Sequence, residues 1–304
     1  MSPGQNTFAT NKRITMRWLP LVWFVSVTAQ AQTPTPMKHA SLSLRNDQVE
    51  IHYTEAGAGD VTLLFVHGWC INRNYWTETM AAFADEHQVM AIDLPGFGES
   101  TAKRTQYTMA EYAEDILAFA DEKALEKVVL VAHSMAGDIM LEIAQRGNPN
   151  IIGLIGVDNF KFVDVALSPE QLAQFQTLFG AMAQDFATGA PAYADQLLFL
   201  PESPKDVRQR VMDDFAKANP AVAMSASQDF AQYGARYPQL LSQLELPLGL
   251  VNSDGVPNNL QALETYCQAG VKLYPIHGTG HYPMVENPAQ FQEGLREIVA
   301  WVLK

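Results

Sequence analysis

Short runs of consecutive apolar residues alternate along this chain with longer stretches whose apolar positions recur every three or four residues. Val61 to Val66, Gln88 to Ile92, Val128 to Ala132 and Ile151 to Val157 are runs of the first kind, suited to strands buried on both faces of a parallel sheet. Between them, Tyr75 to Glu86, Met109 to Lys123 and Asp138 to Arg146 carry the helical period; the second sets Tyr112, Ile116 and Phe119 on one face. Ahead of these, Ala40 to Arg45 and Val49 to Thr54 alternate around Asn46-Asp47 and read as a hairpin-like pair. From about Phe160 to Pro238 the alternation stops. Ser168-Pro169-Glu170 opens a helix there, and three or four helices rich in Phe, Met, Ala and Gln follow. Leu246 to Val251 then restores a strand, followed by a helix over Asn258 to Gln268 and a strand over Val271 to Ile276. Gly278 to Asn287 reads as a loop and Pro288 to Leu303 as a closing helix. The pattern predicts an α/β fold: a doubly wound, mostly parallel sheet of eight strands, with an all-helical cap inserted after the sixth. The expected division is 1–31 leader, 32–159 first part of the core, 160–238 cap and 239–304 second part of the core.

The leader is read from its own pattern. Lys12, Arg13 and Arg17 form a basic start, Trp18 to Ala29 an apolar run, and Ala29-Gln30-Ala31 a small-x-small cleavage site. About a dozen apolar residues are too few to span a bilayer comfortably, so export with removal of the leader near Ala31 is expected, to the periplasm or outside the cell. The chain carries a net charge of −13, and its first 31 residues hold three basic and no acidic ones, which leaves −16 on the remainder. That balance repels nucleic acid and anionic membrane surfaces and points to small-molecule partners. Two cysteines, Cys70 and Cys267, are too few for a disulfide framework and are expected to be free thiols. No Gly-rich phosphate loop or metal-ligand spacing is present, so neither cofactor nor metal is expected. The pattern says nothing about oligomeric state.

Chemistry enters at Lys127-Val-Val-Leu-Val-Ala-His-Ser134-Met-Ala-Gly137. A buried strand, a sharp turn with a serine at its tip and a helix make a nucleophile elbow, in which the residues two before and two after the serine must be small. Here both are alanine, Ala132 and Ala136. Such a turn holds its serine at positive φ.

Further motifs stand in order around it: His67-Gly68-Trp69 after the first buried strand, Asp93-x-Pro95-Gly96-Phe97-Gly98-x-Ser100 after the next, and Gly280-His281 near the end. With these the chain resembles, over nearly its whole length after the leader, the α/β-hydrolase fold enzymes that use a serine nucleophile under a helical cap. The resemblance implies Ser134 as nucleophile and His281, on the loop after the last strand, as its base; His277 is a lesser rival. It implies Asp254, after the first strand beyond the cap, as the acid. The familiar segment has Gly where Asn252 stands, a departure from the pattern; Asp158, at the tip of the preceding strand, is the alternative, where some members of the family place the acid. It also implies an oxyanion hole from the backbone N–H groups of Trp69 and Met135. Asp93, His133 and Glu286 read as structural, while His67 is open to a structural or a catalytic reading. The expected activity is hydrolysis of carboxylic esters of small to medium apolar substrates through an acyl-enzyme on Ser134. The same triad can run perhydrolysis, carbon–carbon bond hydrolysis or lyase chemistry, and the fold also serves as a non-catalytic ligand-binding protein. Some of the cap's aromatic residues are expected to face Ser134.

Overall fold

The computed structural model describes residues 1, 35–44 and 48–304; the leader and the Asn46-Asp47 turn lie outside them. The fold is that of the unit Pro34–Lys304. Its eight strands are β1 Lys38–Ser43, β2 Glu50–Ala56, β3 Thr62–Val66, β4 Gln88–Ile92, β5 Val128–His133, β6 Ile151–Val157, β7 Leu248–Ser253 and β8 Val271–Ile276. They form one sheet in the order β1-β2-β4-β3-β5-β6-β7-β8. β1 and β2 enter antiparallel, and every pairing from β4 onward is parallel. β3 and β5 are buried at every position, as their unbroken apolar runs require.

The helices between strands are α1 Thr77–Phe83, α2 Met109–Glu122, α3 Ala136–Gln145 and α9 Leu260–Tyr266, and the short α10 Pro283–Glu286 and α11 Pro288–Val302 follow β8. Arg73–Trp76 forms a 3₁₀ turn ahead of α1. α2 starts on a capping box, in which the Thr108 hydroxyl accepts from the Glu111 amide and the Glu111 carboxylate accepts from the Thr108 amide. It packs on α3, which in turn packs on β5 and β6, while α11 packs against β6, β7 and β8. Between β6 and β7 the chain is helical: α4 Pro169–Gln184, α5 Phe186–Leu197, α6 Lys205–Lys217, α7 Pro220–Phe230 and α8 Tyr237–Ser242. Ser168 caps α4 with Pro169 in its first turn.

The register sets up the site. Val66 pairs with Ile92 on one side and Ala132 on the other, so β3, β4 and β5 end level. The loops carrying Trp69, Asp93 and Ser134 therefore leave the same sheet edge. The strand order reverses between β3 and β5, which is where a doubly wound sheet opens its ligand crevice.

Candidate active site

Ser134 follows β5 with φ +53°, and α3 starts two residues later. The turn is tight enough that its neighbours must be trimmed. A Cβ added to Gly68 would lie 2.9 Å from the Ser134 Cβ and 2.7 Å from the His133 Nδ1. Glycine there lets the loop after β3 press directly on the elbow. Asn159 braces the turn from the other side. Its Nδ2 donates to the carbonyls of Ala132 at 2.9 Å and Ser134 at 3.3 Å. A Cβ at Gly137 would come within 2.4 Å of that nitrogen, so the space beside α3 belongs to Asn159.

The Ser134 Oγ lies 2.7 Å from Nε2 of His281. Nδ1 of the same ring lies 2.6 Å from Oδ2 of Asp158. The loop that carries His281 is clamped: its amide donates to the Leu198 carbonyl at 2.8 Å, and the Glu286 carboxylate accepts from the amides of Gly280 and Tyr282. His133, directly before the serine, is buried. Burial above all, with the neighbouring His281, pushes it down to about 3, so it is neutral. Its Nε2 then donates to the His281 carbonyl at 2.8 Å. His67 is structural in the same sense: Nε2 accepts from the Leu94 amide at 2.9 Å and Nδ1 donates to the Gly68 carbonyl. Asp93 accepts from the amides of Arg73 and Glu99 and pairs with the Arg73 guanidinium.

Asp254, the acid expected after β7, does not reach His281. β7 and β8 pair with Ser253 opposite Ile276, so the next residue on each strand meets its counterpart: Asp254 Oδ2 lies 2.7 Å from Nδ1 of His277. That pair is exposed, with side-chain exposures of 45% and 66%, whereas the Asp158 side chain is 3% exposed. The acid facing His281 is Asp158, the alternative, and His277 is no rival base because its partner stands on the surface.

Asp158 has a setting of its own. Its Oδ1 accepts from the Ser253 amide at 2.8 Å and lies 2.6 Å from Nζ of Lys161, which also donates to the Ser253 hydroxyl at 2.7 Å. Burial raises the Asp158 carboxyl, but the Lys161 charge and the His281 hydrogen bond outweigh it and hold the group well below the usual carboxylate range. One oxygen is thus saturated by an ammonium and an amide, which leaves the other for the imidazole. Lys161 was not foreseen from the sequence. Its signal was available: the single cation in an otherwise apolar segment, three residues beyond a strand-end aspartate.

A cavity of about 460 Å³ opens over Ser134. Phe160 and Lys161 line it from the loop after β6, and Phe175, Tyr193, Phe215 and Phe230 line it from α4 to α7. Trp69 forms its inner wall, with ring centroids 5.4–6.3 Å from Phe186, Tyr193, Phe215 and Phe230, all near perpendicular. Its Nε1 donates to the Ala223 carbonyl at 2.9 Å, tying the loop after β3 to α7. Trp69 and Met135 line the cavity with Ser134, and the backbone amide of neither donates a hydrogen bond to a described residue. Among the described residues no cluster of His, Cys, Asp or Glu is arranged to hold a metal ion, and Cys70 and Cys267 are buried free thiols.

The family model described as the alpha/beta hydrolase fold matches residues 61–288. The chain belongs to the α/β-hydrolase fold family. This α/β-hydrolase is 25% identical over 253 residues to the pimeloyl-[acyl-carrier protein] methyl ester esterase of Yersinia enterocolitica, covering 80% of this chain and 95% of that one. It is 30% identical over 122 residues to the dihydrolipoyllysine-residue acetyltransferase component of the acetoin cleaving system of Cupriavidus necator; the match takes in 40% of this chain and only 33% of that longer protein. Among solved structures, a thermophilic esterase from Thermogutta terrifontis superposes with a TM-score of 0.72 at 22% identity, over 88% of this chain and all of that one. Esterases are thus among the proteins of this fold to which the chain is similar.

Proposed function

We propose that this α/β-hydrolase is a serine esterase that cleaves carboxylic esters of small to medium, largely apolar substrates. The observation that carries the reading is the unbroken hydrogen-bond chain from Ser134 through His281 to Asp158, lying under an aromatic-lined cavity. A serine hydroxyl is a poor nucleophile near neutral pH unless a base takes its proton as it attacks. His281 Nε2 is at that distance. Ser134 Oγ adds to the ester carbonyl while its proton passes to Nε2, and the imidazolium is held by Asp158 Oδ2 against Nδ1. The carbonyl oxygen becomes an oxyanion, which the Trp69 and Met135 amides receive. The carbonyl re-forms, the bond to the alcohol oxygen breaks, and His281 returns its proton to that oxygen. Water attacks the acyl-serine by the same route and releases the acid. Likeness to a methyl ester esterase and to a solved esterase supports an ester as substrate. The aromatic lining favours an apolar body.

A fluorophosphonate probe should label the protein at Ser134, and an activated ester should give a burst of alcohol followed by turnover. Ser134→Ala should lose both, with turnover down on the order of a millionfold. Labelling elsewhere, or unchanged turnover in the variant, would refute the assignment.

A further inference from the structure

Asp138 stands on the first turn of α3, four residues past Ser134, and lines the same cavity. It is only 5% exposed. A carboxyl so buried is ordinarily matched by a cation or by several donors. Here Oδ1 accepts from the Tyr237 hydroxyl at 2.8 Å, and no other side-chain hydrogen bond reaches the group among the described residues. The charged groups around it do not neutralise it. Arg236 is hydrogen-bonded to Glu142, which also takes the Tyr233 hydroxyl, and Asp229 of α7 is engaged with the Met109 amide. Burial first, and then the like charge of Asp229 and Glu142, push Asp138 up to about 8, against the opposing Tyr237 bond and Arg236. Burial raises the Tyr237 hydroxyl too, so it stays protonated. With Oδ1 already receiving the Tyr237 proton, the carboxyl's own proton sits on Oδ2.

We propose that Asp138 reads the substrate: its Oδ2–H donates a hydrogen bond to an ether or carbonyl oxygen carried within a few bonds of the ester held at Ser134. Asp138 follows Ser134 by only four residues and both line the one cavity, so the recognised oxygen lies within a few bonds of the scissile carbonyl. The preferred substrate class is then an apolar ester with a second oxygen acceptor rather than a plain hydrocarbon ester. This inference rests on the esterase reading. The bland role for Asp138, tying α3 to α8 through Tyr237, needs no proton on Oδ2 and gives no pH-dependent preference.

The test compares kcat/KM for a straight-chain acyl ester with its isosteres, in which an ether oxygen replaces one methylene and is walked along the chain. At one oxygen position the ratio of ether to hydrocarbon ester should be high near neutral pH. It should fall about tenfold as pH rises through about 8, because the donor is lost. Asp138→Asn, whose amide donates at every pH, should keep the ratio high on both sides of that point. Asp138→Leu should hold it low throughout. Effects on the triad cancel in the ratio. A wild-type ratio that stays flat through pH 8 at every oxygen position, or an Asp138→Leu ratio equal to wild type, would overturn the inference while leaving ester hydrolysis intact. If no ester is turned over at all, both readings fall. Should the leucine variant not fold, the wild-type titration and the asparagine variant decide.

Discussion

Lys161 Nζ lies 2.6 Å from one oxygen of Asp158, and the other oxygen accepts a hydrogen bond from Nδ1 of His281. The ammonium therefore shares the field of the acid with the imidazole. A unit charge a few ångströms away, in an effective dielectric near 20, is worth a few kcal/mol before screening. Lys161→Met should let Asp158 hold the protonated imidazole more firmly, so the acidic limb of the kcat/KM profile should move to higher pH by on the order of one unit. Lys161→Arg should leave it near its original place. An unmoved limb in the methionine variant would make Lys161 a packing residue only. The sequence marked Ser134 and His281 because each stands at a position that only chain order and strand ends need define. It left the acid between Asp158 and Asp254 because both follow neighbouring parallel strands, and nothing in either local sequence says which loop turns toward His281.

The elbow is held as an element by contacts that its own sequence does not contain. Ala132 and Ala136 satisfy the demand for small residues, and both are buried. The turn is braced by Asn159, which is tied to Asn252: the Asn252 side chain donates to the Asn159 carbonyl at 2.8 Å and accepts from its amide. Asn252, the residue that departs from the familiar glycine, thus links β7 to the loop bearing the acid and the brace. Asn159→Ala would free two carbonyls and empty the space beside Gly137, and it should lower kcat about 10- to 100-fold through a loosened serine. Stability should fall by about 1–3 kcal/mol. Gly137→Ala should give the same kinetic defect from the opposite direction, since its Cβ would displace Asn159. Wild-type kcat in both variants would show that the brace is dispensable. The elbow's strand and helix were legible in the apolar pattern, whereas the brace was not, because it comes from two strands further along the chain.

At the scale of the molecule, the site is a product of strand register. Ser134 follows β5, Asp158 follows β6 and His281 follows β8, three points spread over nearly half the chain. The sheet order and its parallel pairings bring them to one edge, and the helices between β6 and β7 close an aromatic cavity over them. The central strands and the run of helices between β6 and β7 were legible in hydrophobic periodicity, because burial on both faces leaves an unbroken apolar run at β3 and β5, while β1 and β2 showed as an alternating pair. The pairing of β7 with β8 was not, and that register sets Asp254 against His277 and leaves Asp158 facing His281. The central claim is the triad Ser134–His281–Asp158, and the most direct measurement is kcat for Asp158→Asn and Asp254→Asn on one activated ester. The asparagine at 158 should drop kcat by about 10⁴-fold, through loss of the correct imidazole tautomer, while the asparagine at 254 should stay within about twofold of wild type. A collapse at 254 with activity retained at 158 would contradict the account.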